Sequence, residues 1–363
     1  MSEKDNLIFI GELPPHTITG VSISNKINLE ILKLYYNVEI VEEFYLIDQH
    51  DKFTLNKLIN YFKTIIGFWN ALCSAKFKYY YGVIYLSKIG ILKNIITVVL
   101  FKIFNPEKFV ILHFHRSDFR VFLKNSISLS FFKFLNLFVD KYILLSESQF
   151  GDFSIKDRHK LSVLYNTIEN EIVVQKVIDN EVIKIVYLGN FIVSKGIYEL
   201  IDSFAKLNYS YNIKLDLYGA FASKELEIKL KKLISPYPNI KIHGEVIGSD
   251  KMNILVNSDL IILPSHNEGL PLVLLESMYS GLPVIISNVG YINEALGDDY
   301  PLYCEPKNVD SIINAFIKFM ETYNIIDYPD LLNKKYQKYS NESHKNQLLK
   351  LFQHENFNNN SSL

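Results

Sequence analysis

Two glutamates eight positions apart, Glu268 and Glu276, stand in the stretch SHNEGLPLVLLESMYSGLPVI (residues 265–285). Glu276 interrupts the run Leu272-Val273-Leu274-Leu275-Glu276-Ser277-Met278, which otherwise reads as a buried helix. A carboxylate buried there without partners would be strongly disfavoured. Carboxylates accept hydrogen bonds from vicinal hydroxyls, so Glu276 suits a ribose and Glu268, in the loop ahead, suits a sugar. Pro271 fits the first helical position, where its missing N–H does no harm. Gly269 and Leu270 would then offer backbone N–H groups to phosphate oxygens at a helix N-terminus. The ligand these features imply is phosphorylated and rich in hydroxyls.

Such residues need a scaffold that brings loops together. The second half of the chain alternates β-branched runs with amphipathic segments: strands at 183–190, 213–220, 239–246, 259–265 and 283–287, and helices at 195–207, 224–234, 249–257, 271–280 and from 292. That alternation with short links predicts a parallel sheet covered by helices on both faces, with right-handed crossovers. The first half carries the same pattern more faintly, with strands at 7–13, 108–115 and 141–148 and a helix at 21–34. The fold class expected is α/β, two doubly wound Rossmann-like domains facing a central cleft. The first domain is expected to span 1–172, with a C-terminal helix around 335–353 packing back on it. The second is expected to span 173–334, with a join near 167–182 and a disordered tail at 354–363. Ligands of such sheets bind outside the carboxyl ends of the strands, where every polar candidate here falls.

The chain of 363 residues is 48% hydrophobic and 21% charged, which is globular composition and long enough for two domains. Its two cysteines, Cys73 and Cys304, make no disulfide framework. The N-terminus does not read as a secretory signal. The most apolar stretch, IGILKNIITVVLFKIF, is broken by Lys93, Asn94 and Lys102, so no transmembrane helix is expected. Between Lys52 and Lys133 there are 13 Lys or Arg and two acids, Glu107 and Asp118, a net of 13 − 2 = +11 within a chain whose total is −1. Interleaved aromatics in region 52–133 suit an anionic membrane surface; a solvated basic face over an aromatic core is the plainer reading. No Asp-x-Asp motif or zinc-spaced Cys/His cluster occurs, and no metal or other cofactor is expected; His113 and His115 alone share a strand face.

The whole string PSHNEGLPLVLLESMYSGLPVIISNVG resembles the signature of the retaining glycosyltransferases of family 4, which have the GT-B fold. GNFIVSKG (189–196) resembles the same family's G-R-x-x-x-x-K-G, and LYGAF and IKIHGEV resemble the segments that follow it. In the first half HFHRSD, LLSESQFGDF, VLYNTIE and TITGVSISNKI resemble family loops in patches. The resemblance implies that Glu268 faces the donor sugar, Glu276 the nucleotide ribose, and Lys195 the donor diphosphate. It also implies His115 near the reacting carbon and Gly20 near the donor phosphate. Asn190 stands where the family has arginine, so it brings a hydrogen bond without charge. Thr19-Gly20 and Gly290-Tyr291 stand where paired glycines are usual.

The activity so implied is metal-independent transfer of a sugar, with retention, from a nucleotide-diphospho-sugar donor to a saccharide acceptor. The acceptor expected is lipid-linked, as in bacterial surface polysaccharide synthesis, and the location expected is cytoplasmic, peripheral at the inner face of the plasma membrane. Taken singly, Lys195 would serve to cap a helix, His115 to end a strand, and Glu268 to be solvated in its loop. A non-catalytic relative binding nucleotide or glycan is the alternative. A nucleic-acid binder lacks any motif, so no nucleic acid partner is expected, and no G-x-G-x-x-G follows the early strand to support a dehydrogenase.

Overall fold

The computed structural model describes residues 4–43, 55–169 and 181–353, with the side chains of 55–58 and 353 excepted. Residues 170–180 of the expected join, the 172/173 boundary, Lys52 and the tail at 354–363 lie outside the described residues. The chain divides into two compact units, Met1–Asn166 with Asn341–Leu363, and Thr167–Ser340.

The first unit runs β1 (Asn6–Gly11), α1 (Gly20–Tyr35), β2 (Asn37–Glu42), α2 (Leu55–Ser74), β3 (Tyr79–Val83), α3 (Lys88–Phe104) and β4 (Phe109–His113). It continues through α4 (Phe119–Leu123), α5 (Ser126–Leu135), β5 (Lys141–Leu144) and β6 (Leu161–Val163). The second runs β7 (Ile183–Leu188), α6 (Ile197–Leu207), β8 (Ile213–Tyr218), α7 (Lys224–Ile234), β9 (Ile240–His243), α8 (Gly248–Val256) and β10 (Leu260–Leu263). After these come α9 (Leu272–Ser280), β11 (Val284–Ser287), α10 (Ile292–Leu296), β12 (Tyr303–Cys304), α11 (Val309–Thr322) and α12 (Tyr328–Tyr336). A last helix, α13 (Asn341–Gln353), belongs to the first unit.

Among the described residues each unit holds one six-stranded sheet, in the orders β2-β1-β3-β4-β5-β6 and β12-β11-β10-β7-β8-β9. The strand pairs are parallel, as between β1 and β3 (Leu7↔Tyr79) and between β7 and β8 (Ile183↔Ile213). Parallel sheets covered on both faces read as near-continuous apolar runs, and β3 and β10 are buried along their whole length. Alternate residues of the first sheet feed two cores. Ile8, Ile10, Tyr80, Leu112 and Tyr142 pack on one face with α2, α3 and α5. Leu7, Phe9, Tyr79, Tyr81 and Ile111 pack on the other, with α1 and α13.

α13 is fixed there by packing and by polar contacts. Leu348, Leu351 and Phe352 are buried, and the Phe352 ring lies 5.3 Å from that of Tyr79. His344 donates from Nδ1 to the Tyr165 carbonyl at 2.6 Å, and its other ring nitrogen pairs with the Asn28 amide at 2.6 Å. Asn28 in turn bonds the Tyr81 hydroxyl at 2.9 Å, which pairs with His113 at 2.7 Å. Substituting His344 by alanine removes the ring donor to the Tyr165 carbonyl and the ring partner of the Asn28 Oδ1. The expected loss is about 2 kcal/mol of first-unit stability, read as a lower urea midpoint with unchanged slope. An unchanged midpoint would show that α13 is held by its apolar face alone.

Candidate functional site

The order of the second sheet reverses between β7 and β10, and ligands of open parallel sheets settle outside the carboxyl ends of the strands at such a point. The loops leaving those two strands carry Lys195 and Glu268. Lys195 Nζ sits 2.5 Å from Glu268 Oε1, and Ser265 Oγ donates to the same oxygen at 2.9 Å. Seventy-three residues separate the two ends of that ion pair.

The local sequence explains the approach. Gly196 has φ +70, and a Cβ there would lie 2.0 Å from the Pro264 carbonyl oxygen, so only glycine lets the Lys195 loop rest on the end of β10. The His266 N–H donates to the Ser194 carbonyl at 2.8 Å, and the His266 ring pairs with Glu199 at 2.9 Å. Gly290, with φ +62, presses on the other side, where a Cβ would lie 1.9 Å from the Glu268 carbonyl oxygen. The Tyr291 N–H donates to the Gly269 carbonyl at 3.1 Å.

Pro271 is the N-cap of α9 rather than its first helical residue, with φ −70 and ψ 136. Proline's locked φ suits this extended cap as well as a first turn, so its presence alone did not fix the register. Gly269 and Leu270 therefore lie ahead of the helix, and the first-turn N–H groups belong to Leu272 and Val273. Leu270 is buried.

Glu276 lies within α9 and is held by Lys251 of α8, whose Nζ is 2.7 Å from Oε1 and 2.5 Å from Oε2. Burial raises the carboxyl's pKa, Lys251 opposes that rise, and Glu169 adds to it. Sequence reasoning missed Lys251, because no spacing rule joins it to a glutamate 25 residues away on another helix. Asn190 turns its Oδ1 to the Ala220 N–H at 3.3 Å, tying the β7 loop to the β8 loop, and its carbonyl accepts from the Tyr187 hydroxyl at 3.1 Å. Beside these loops is a recess of about 390 Å³, lined by Gly219, Ala220, Phe221, His243, Gly244 and Glu245 among others. The His243 ring stacks on Tyr218 at 4.4 Å and bonds Asp216 at 2.8 Å. No recess was expected there, although the segments LYGAF and IKIHGEV that line it were singled out.

The remaining two candidates belong to the first unit. Gly20 is the first residue of α1, behind the cap Thr19, which forms a reciprocal capping box with Ser22. His115 follows β4 with its ring 4.0 Å from that of His113, and its Nε2 is buried without a hydrogen-bond partner. Burial pushes its pKa down to about 3, so it is a neutral imidazole at neutral pH. Among the described residues no group of three or more His, Cys, Asp or Glu side chains could hold a metal ion.

The basic stretch is partly consumed at home. Lys93 pairs with Glu43, Lys78 with Asp5, Lys102 with Asp140, Arg116 with Asp118, and Arg120 with Asp152. Lys63, Lys88, Lys108, Lys124 and Lys133 remain exposed. No described helix is long and apolar enough to cross a membrane.

Two α/β units, each built on a six-stranded parallel sheet, define the fold class as GT-B. Residues 169–344 match the family model described as glycosyl transferases group 1. The chain is 27% identical over 134 residues to the putative teichuronic acid biosynthesis glycosyltransferase of Bacillus subtilis, covering 37% of this chain and 32% of that one. It is 37% identical over 83 residues to the UDP-Gal:alpha-D-GlcNAc-diphosphoundecaprenol alpha-1,3-galactosyltransferase of Escherichia coli, covering 22% of this chain and 21% of that one. The chain thus spans a third or less of the length of either relative. In fold it is similar to Anabaena HepE, solved in complex with UDP-glucose, with a TM-score of 0.70 at 14% identity over 96% of this chain and 99% of that one.

Proposed function

We propose that this chain is a retaining, metal-independent glycosyltransferase of the family 4 type, moving a sugar from a nucleotide-diphospho-sugar to a saccharide acceptor. The observation that carries the reading is the Lys195–Glu268 pair at the switch point of the second sheet. In it a cation for a departing diphosphate and a carboxylate for a sugar ring stand side by side. The nucleoside diphosphate leaves with growing negative charge, and Lys195 together with the first-turn N–H groups of α9 offsets that charge. Glu268 orients the sugar hydroxyls, and Glu276 takes the ribose, sharing it with Lys251. Gly269 and Leu270 bring the loop backbone to the donor phosphates, and Asn190 holds the loop that carries Lys195. In the first unit, neutral His115 can offer an N–H or a lone pair to a sugar, and Gly20 leaves room for a phosphate beside the start of α1. A nearby HepE complex with UDP-glucose and a relative named for a diphosphoundecaprenol acceptor support a nucleotide-sugar donor and a lipid-linked acceptor in bacterial surface polysaccharide synthesis.

The test is release of nucleoside diphosphate from a panel of UDP-, GDP-, ADP- and dTDP-sugars, in EDTA, with and without a lipid-linked acceptor extract. Release from one donor establishes the reaction. Silence, together with no thermal protection by any nucleotide, favours the non-catalytic alternative.

A lipid-linked acceptor calls for contact with a membrane surface. On α2 the residues Ile59, Phe62, Ile66 and Trp69, spaced as one helical face, are 42%, 56%, 59% and 45% exposed, with Lys63 among them. The protein is expected to float with anionic vesicles and to lose most of that binding in 0.5 M-class salt, because screening length falls as ions are added. Phe62→Asp should weaken flotation at least tenfold. Equal flotation by wild type and variant would remove α2 from the contact.

A further inference from the structure

The first sheet has a switch point of its own, between β1 and β3, and nothing in the donor reading uses it. The residues that follow those strands and the neighbouring β2 are Glu12, Tyr85 and Glu43. Together with Lys93 of α3 they make a buried polar cluster. Glu12, Glu43 and Lys93 are each 5% exposed or less. Lys93 is paired with Glu43, whose other oxygen accepts from the Tyr85 hydroxyl at 2.5 Å, so Glu43 and Lys93 neutralise each other. Glu12 has no such partner. Its Oε1 accepts from the Thr19 hydroxyl at 2.8 Å, and its Oε2 is buried with no hydrogen-bond partner.

A buried carboxyl oxygen left bare is costly, and the protein would be more stable with an amide or an apolar side chain there. Such a group at a switch point is what a ligand-binding position looks like before its ligand arrives. Burial raises the Glu12 pKa to about 7; the Thr19 hydroxyl opposes the rise, the charge of Glu43 adds to it, and that of Lys93 opposes it. The missing partner is a hydrogen-bond donor. A cationic one is disfavoured, because Lys93 already fills the cluster and its Nζ lies 3.9 Å from the centre of the Tyr85 ring, the aromatic face a second cation would seek. A neutral hydroxyl is the donor that remains.

We propose that Glu12, backed by Glu43, Lys93 and Tyr85, is the acceptor-binding position of the first unit and selects the acceptor through a saccharide hydroxyl. This rests on the glycosyltransferase reading above and adds to it the group on the protein that reads the acceptor. Glu12 binds and selects; no bond is made or broken at it.

The test uses the full chain and needs no turnover. Methyl glycosides of glucose, galactose and N-acetylglucosamine at millimolar concentration are screened by saturation-transfer NMR against wild type, Glu12→Gln and Glu268→Gln. Thermal protection by UDP and GDP is measured on the same samples. Glu12→Gln keeps an oxygen for Thr19 and puts an N–H₂ donor where Oε2 stood, so a donor hydroxyl meets a donor. The expected result is a glycoside that binds wild type and Glu268→Gln alike and binds Glu12→Gln at least tenfold more weakly. Glu12→Gln should melt no lower than wild type and keep its nucleotide protection. Equal glycoside binding by Glu12→Gln, no glycoside binding by wild type, or a melting temperature several degrees lower in Glu12→Gln would each overturn the proposal, the last by showing a structural carboxyl. Loss of nucleotide protection in wild type would instead strike the donor reading, and the glycoside arm reads independently of it.

Discussion

Glu268→Ala is expected to lower kcat by about a thousandfold, roughly 4 kcal/mol of transition-state stabilisation. The fold should survive, because Glu268 lies in a loop and Lys195, 31% exposed on its side chain, can be solvated once its partner is gone. The variant has a second signature. Lys195 is neutralised by Glu268 in the free protein, so a diphosphate must compete with a carboxylate 2.5 Å away. Removing that carboxylate should leave nucleoside diphosphate affinity unchanged or tighten it a few-fold while turnover collapses. Calorimetric titration with UDP or GDP alongside the release assay reads both. Turnover within a factor of a few of wild type would remove Glu268 from the chemistry. Weaker diphosphate binding would mean that the glutamate positions Lys195 rather than restraining it.

The second large effect concerns Lys251. Truncating it to alanine leaves Glu276, whose side chain is 13% exposed, with no cation against it, and breaking one side of such a mostly buried pair costs about 3 kcal/mol. The pH dependence has a definite sign. Burial holds the Glu276 pKa above its unfolded value. A carboxyl so raised contributes stability that is complete below the unfolded pKa and is lost as pH rises through the folded one. Removing Lys251 raises the folded value further, so the variant should be weakest near neutral pH and recover on acidification toward the ordinary glutamate range. Glu276→Gln combined with Lys251→Ala should abolish this recovery and restore much of the stability at neutral pH. Denaturant titrations at pH 7.5 and 5 distinguish the cases; a deficit equal at both pH values would show that the lysine stem, not its charge, matters.

The second unit was far more legible in the sequence than the first. Its strands are short β-branched runs that end at glycine or proline, and its helices carry clear apolar stripes, as in α6 with Ile197, Leu200, Ile201 and Phe204 buried on one face. In the first unit β3 is the run YYYGV, whose tyrosines are as buried as any valine, and α3 is apolar nearly all round, which hides a helical period. Among site residues, the Glu268 loop could be placed because proline and glycine mark a strand-to-helix turn. The register of α9 was off by one because Pro271 serves as cap. Tertiary pairs such as Lys251 with Glu276, or Lys93 with Glu43, join residues on separate elements and leave no local trace. The charge count over 52–133 likewise overstated the free basic surface, since Asp5, Glu43, Asp140 and Asp152 reach in from outside that stretch.

α13 carries a consequence for how the protein is made. Residues 341–353 complete one face of the first sheet, and Leu348, Leu351 and Phe352 belong to the same core as Leu7 and Phe9. A ribosome delivers them only after the whole second unit has emerged. Domains tend to fold as they leave the ribosome, N-terminal first. Here the N-terminal one must wait, with Tyr79 and Tyr81 partly uncovered, until residues 341–353 are synthesised, while the second unit, continuous from Thr167 to Ser340, precedes them in the chain. The nascent chain should therefore acquire protease resistance in reverse order, the later unit first. A stop codon placed just before Asn341 would spare the second unit and leave the first exposed to degradation.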